Sequence, residues 1–272
     1  MVRILRNILS RFGLILLLLL SWEFASRWIS LKGSIQNVQV LFPSLSAVLK
    51  EGVLLFQNKI IIGHILASTG RVFVGFGLAA LFAIPLGVIL SLSQRLTWQF
   101  QPLINTIRFI PPVAWIPISI LWFGITEAQQ YYIIFIGTFP VIFFITYNNA
   151  KEIPLAIKRA ATCLGADRLK MFLKIIVPGA LNGIFLSLRV GLGFGWFLIV
   201  ASEFVSAEKG LGYLILEGRN IIKTERIFVG MVTIGLISYF FNFVLAKIRY
   251  LILPWIEKEG KISGIFESQK PL

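Results

Sequence analysis

RAATCLGADRLKMFLKIIVP, residues 159–178, is a basic segment set between two long apolar runs. At helical spacing Ala160, Ala161 and Leu164 form a short apolar stripe. Gly165 interrupts it, and Leu169, Phe172 and Ile176 resume on a second helix that Pro178 closes. Lys158, Arg159, Arg168, Lys170 and Lys174 take the other faces, so the pattern predicts an amphipathic helix, turn, helix unit within residues 150–179. Such a unit is built to lie against something. Anionic headgroups suit its basic residues, and a groove on a partner protein suits its small alanines, with Gly165 as the bend.

The flanking sequence narrows the choice. Of 272 residues, 57% are hydrophobic and only 14% charged, with 24 phenylalanines and 7 tryptophans. That balance belongs to a membrane protein. Apolar runs at 12–29, 72–92, 107–124, 131–147, 180–201 and 228–246 predict an all-α integral membrane protein of about six spans, at about 20 residues per crossing. The third and fourth runs are broken by Pro111, Pro112 and Pro117 and by Pro140, each removing a backbone donor that neighbouring helices or a cavity must compensate. Arg3, Arg6 and Arg11 before LILLLLL resemble the start of a signal peptide. The run continues through Trp28 and Ile29 without a small-residue cleavage site, so it is read as a span.

The formal net charge of +14 follows from where the cations stand. On alternate loops lie three before the first run, Arg95 and Arg108, six from Lys151 to Lys174, and five after the last run, which makes 16. The other loops hold Lys32, Lys50, Lys59, Lys209, Arg219, Lys223 and Arg226, which makes seven. The positive-inside rule then puts both termini in the cytoplasm and accounts for the charge without nucleic acid. The single cysteine, Cys163, excludes an intramolecular disulfide and falls on the cytoplasmic side.

Catalysis is not expected. The chain has one His, one Cys and one Asp, none near another, so neither a catalytic constellation nor a metal site is assembled. No phosphate-binding glycine loop ending in Gly-Lys-Ser/Thr occurs, so any ATP that drives the protein is bound by another chain. Charges within the apolar runs have structural and functional readings. Glu23 and Arg27 pair along one helix face, Arg71 anchors a span at the interface, and His64 stands in an outer loop segment. Arg189 lies about halfway along NGIFLSLRVGLGFGWFLIV (182–200), where a charge needs a buried partner or a polar pathway. Arg189, Trp115 and Glu203 are therefore candidates for a translocation path or gate.

One resemblance rests on these residues. Ala160-Ala161, three residues, Gly165, nine residues, then Ile175-x-Val177-Pro178 resembles the EAA signature of permease subunits of bacterial ATP-binding-cassette importers, with Arg159 where that family usually has Glu. STGRVFVGFGLAALFAIPLGVILSLS (68–93), RFIPPVAWIPISILWFGI (108–125) and LRVGLGFGWFLIVASEFVSAEKGLGYLI (188–215) resemble its nitrate, sulfonate, taurine and bicarbonate branch. The resemblance implies a type I importer permease fold over residues 65–255, after an N-terminal span and outer loop (1–64) and before a cytoplasmic tail (256–272). It further implies a bacterial plasma-membrane location, a homodimeric pathway and an extracytoplasmic binding protein. Two cytosolic ATPases would dock on a coupling helix at Arg159, Ala160, Ala161, Leu164, Gly165, Ala166 and Leu169. No cofactor is expected in this chain, because the ATPases bind the ATP. Family branch, Arg108 and Arg189 favour a small anion as substrate, with a thiamine-precursor pyrimidine as the alternative. A secondary transporter is a rival reading, weakened because only Glu23 and Glu203 could serve as ion relays.

Overall fold

The computed structural model describes residues 2–31 and 42–254, and all of its regular structure there is helical. The tail expected at 256–272 lies outside the described residues. In chain order the helices are α1 (Val2–Leu31), α2 (Leu45–Gln57), α3 (Ile60–Ser91), α4 (Gln94–Phe109), α5 (Ile116–Phe123), α6 (Glu127–Lys151), α7 (Leu155–Cys163), α8 (Arg168–Met171), α9 (Val177–Ser206), α10 (Leu211–Asn220) and α11 (Thr224–Ile252). A 3₁₀ turn (Pro112–Trp115) leads into α5, and a π-helical turn (Phe172–Ile176) joins α8 to α9.

Among the described residues α3, α6, Leu169–Ser206 and α11 are long and apolar enough to cross a membrane, and α4 with the 3₁₀–α5 segment makes a fifth if counted as one span. The expected first run lies inside α1, where Leu14 and Leu16 to Leu20 are exposed. The third expected span, 107–124, is not a straight helix. Its two halves meet at 87°, because consecutive prolines at 111 and 112 cannot continue α4, and α5 with 8 residues reaches only about 12 Å. The second begins at Ile60, not at residue 72, since Gly63, His64, Gly70 and Arg71 dilute an apolar signal that the helix nevertheless carries through.

The chain divides into two compact units. One holds residues up to Ser68 together with Glu208–Gly235. In it the Trp22 ring packs tilted against Phe228 (5.0 Å between centroids) and its N–H donates to the Pro43 carbonyl (3.0 Å), while Arg226 bridges Glu51 (3.0 Å) and Glu217 (3.2 Å). His64 is buried here and not in a loop: its Nδ1 accepts the Gly210 N–H at 2.9 Å, and Ser68 Oγ accepts the Leu211 N–H at 2.7 Å, so α3 caps the start of α10. Glu23 and Arg27 pair at 2.7 Å, as their i, i+4 spacing predicts.

The second unit, Thr69–Ala207 with the chain after Gly235, is centred on α6 and α9. α6 buries 13 of its 25 residues, which is why its sequence shows no clear apolar stripe: a helix covered on all sides has no solvent face. Close approach depends on small side chains. A Cβ on Gly191 would stand 2.7 Å from Ile142, and one on Gly87 would stand 3.1 Å from the Phe143 carbonyl. Val88, Ala150, Ile176, Ala180 and Ile184 form a core cluster at one end, and Ile116, Ile133 and Leu198 form another towards the 3₁₀ turn.

Candidate functional site

Two groups of polar residues stand out in the α6–α9 unit, one buried and one exposed. The buried group joins α3, α5, α6 and α9. Arg71 on α3, 6% exposed, donates to Glu203 Oε1 (2.9 Å), which is fully buried on α9, and to Glu127 Oε1 (3.2 Å) at the first turn of α6. Tyr131 donates to the second Glu127 oxygen at 2.8 Å. Beside them Gln129 donates to Ser119 Oγ (3.0 Å) and accepts from Ser202 (3.2 Å) and Ser206, and Gln130 donates to the Ser206 carbonyl (2.9 Å). Water is scarce in a bilayer, so such groups find partners within the protein or not at all. Arg71 thus does not merely anchor a span. Two carboxylates meet one guanidinium here.

Arg71 and Glu203 are 132 residues apart, and each stands at the edge of an apolar run. Opposite charges at matching ends of neighbouring spans are the signal that would have found them. Arg189 departs from expectation in the other direction. It is exposed on α9, and no carboxylate among the described residues pairs with it. Arg108 lies over the Phe144 ring at 5.0 Å, just before the proline bend. Trp115, half-buried in the 3₁₀ turn, packs against the Ile116 cluster with its indole N–H buried and without a hydrogen-bond partner among the described residues. No group of three His, Cys, Asp or Glu side chains among the described residues could hold a metal.

The exposed group is the hairpin of α7 and α8. α7 ends in a Schellman motif: Ala166 N–H bonds the Ala161 carbonyl and Gly165 N–H the Thr162 carbonyl, both at 3.0 Å, with Gly165 at φ +80°. Asp167 then accepts the Lys170 N–H at 2.7 Å and caps α8. The second helix does not stop at Pro178. Leu169–Ser206 is one helix, and the π turn at Phe172–Ile176 widens the backbone just where Pro178 would otherwise collide with the preceding turn. A force on the hairpin therefore reaches α9 along continuous backbone.

The expected apolar stripe is split. Ala161 is buried at 8% exposure and packs inward, Arg159 and Ala160 are exposed, and Leu164, past the helix end, is 89% exposed. Leu169 and Leu173 are exposed beyond it, and Ala166 lines a cavity of about 540 Å³ with Leu92, Ser93, Thr162, Asp167 and Met171. The fold explains the split: α7 turns Ala161 towards the chain's own core, and the Schellman turn swings Leu164 out. Cys163 is exposed beside it.

Residues 79–258 match the family described as binding-protein-dependent transport system inner membrane component. The chain belongs to that family. It is 31% identical over 200 residues to the taurine transport system permease protein TauC of Escherichia coli (strain K12), covering 74% of this chain and 73% of the relative. It is 30% identical over 191 residues to the nitrate import permease protein NrtB of Leptolyngbya laminosa, covering 70% and 68%. In fold it is similar to inward-facing conformations of the MetNI methionine ABC transporter, with a TM-score of 0.63 at 20% identity over 71% of this chain and 95% of that one. The fold is therefore that of a type I ABC importer permease, and the protein is a transport subunit of the inner membrane, ATP hydrolysis residing in separate subunits. The matched region contains the hairpin, Glu127 and Glu203, but begins after Arg71.

Proposed function

We propose that this permease carries a small oxyanion of the nitrate or sulfonate type inward, as one of two copies forming the pathway. A cytosolic ATPase grips each α7–α8 hairpin, and an extracytoplasmic binding protein delivers the substrate. The substrate class is supported by relatives named for taurine, nitrate and aliphatic sulfonates. The loop cations support a hairpin and both termini in the cytoplasm, where ATP is. Nucleotide binds to the ATPases and not to this chain, and closure of the ATPases pulls on a helix continuous with α9. The Arg71–Glu203 layer and Trp115 form the closed outer end of the path, holding α3, α5, α6 and α9 together while the inner end moves.

The observation that carries this reading is Leu164, an apolar side chain 89% exposed at the tip of a basic hairpin, with Leu169 at 66% beside it. Exposed apolar groups ringed by charge are what a partner surface covers. Leu164→Asp in the assembled transporter should abolish stimulation of ATP hydrolysis by the binding protein and lower ATPase recovery on affinity purification, leaving the melting temperature of the permease alone unchanged. Full stimulation with full recovery would assign the hairpin to the lipid surface instead.

A further inference from the structure

We propose that the cavity between α9 and α11 binds the phosphate of an anionic phospholipid in the inner leaflet. It encloses about 140 Å³, with Arg189 and Arg249 as its cations, Asn182 as its polar neutral group, and Phe185, Leu186 and Leu245 among its apolar walls. Arg249 Nε donates to Asn182 Oδ1 at 3.1 Å, which fixes that guanidinium at the cavity edge. No carboxylate among the described residues faces either arginine, in contrast to Arg27, Arg71 and Arg226, all ion-paired. Two cations at an apolar groove between spanning helices call for an anion with an apolar tail.

Depth agrees, given the cytoplasmic hairpin proposed above. Arg189 lies 14 residues before Glu203 on one helix, about 21 Å further in. A hydrocarbon core of about 30 Å measured from the Glu203 layer ends near Gly183. Side chains on a helix lean towards its N-terminus, so Arg189 reaches down towards Asn182, two turns away, and its guanidinium comes to the inner boundary. Arg249, in the last turn of α11, comes to the same level from the other helix.

The test uses the purified permease with its ATPase in a neutral detergent, titrated with phosphatidylglycerol. Bound lipid is counted by native mass spectrometry, and the thermal midpoint is followed in parallel. Wild type should retain the lipid and melt higher with it. Phosphatidylcholine and inorganic phosphate should do neither, since one lacks net charge and the other lacks the tail. Arg189→Gln and Arg249→Gln should each weaken retention roughly fivefold. Because a variant may fold poorly, a photoreactive phosphatidylglycerol is applied to the wild type, and its adducts should map to peptides containing residues 182–189 and 245–249. Undiminished retention in the double variant, stabilisation by inorganic phosphate alone, or adducts only elsewhere would overturn the site. These readouts are of lipid and not of uptake, so their failure leaves the transport reading standing, and a failed Leu164→Asp test leaves this site standing.

Discussion

The buried charge layer and the hairpin contain similar residues, yet they are opposite solutions to the problem of a polar group in an apolar chain. In the layer Arg71 joins the fully buried Glu203 to the more exposed Glu127 across three helices, and removing Arg71 takes the guanidinium from both carboxylates. In the hairpin the hydrogen bonds that matter are local, within a turn or two, and Leu164 and Leu169 are exposed. One region is held by what the chain itself supplies, and the other, on the function proposed above, is completed by a partner. Substitutions should therefore damage folding in the first and coupling in the second.

The sharpest break of that contrast is at the layer. Glu203→Ala or Arg71→Ala breaks the buried ion pair from one side, which costs about 3–5 kcal/mol, whereas replacing both with leucine should recover most of the loss. Thermal unfolding in detergent and yield from membranes measure it. Equal damage from the double replacement would mean that the pair holds more than its own two charges, through Glu127 and Tyr131.

How far this division could be read beforehand differs by region. The hairpin was legible because its information is local: Gly165, its flanking alanines and the cations all lie within 20 residues, and the turn forms where they predict it. What sequence did not resolve there is direction. Ala161 and Leu164 are three apart and share a face on an ideal helix, but the helix ends between them, so one packs inward and the other outward. The layer was illegible for the opposite reason. Arg71 and Glu203 are 132 residues apart, and pairing them requires knowing that α3 and α9 are neighbours. The proline-broken third span lies between these cases: Pro111 and Pro112 announce a break, but not that it turns the chain through 87°.

A smaller effect sharpens the hairpin side. Gly165 sits at φ +80° with open space where a Cβ would go, so Gly165→Ala costs only the left-handed backbone, about 1–2 kcal/mol. Because that cost falls on the turn and not on the core, the melting temperature of the permease should barely move, while binding-protein-stimulated ATP hydrolysis falls. Gly165→Asn, which tolerates this backbone region better, should retain more of the stimulation than alanine does. A large drop in melting temperature with Gly165→Ala would show that the hairpin is part of the folded core after all.

The smallest expected effect separates two roles of one residue. Asp167 both caps α8, through the Lys170 N–H at 2.7 Å, and pairs with the Lys170 ammonium at 3.8 Å. Both side chains of the ion pair are more than half exposed, so the pair is screened by water and salt and should be worth no more than about 0.5 kcal/mol. The cap is different, since without it an N–H of the first turn of α8 loses its partner, at about 1 kcal/mol. Lys170→Ala should therefore leave hydrogen exchange of the α8 amides unchanged, and Asp167→Ala should speed it roughly fivefold. Asp167→Ser, which keeps a capping oxygen and removes the charge, should match the wild type. If it exchanges as fast as the alanine variant, the carboxylate charge and not the cap is what holds the start of α8.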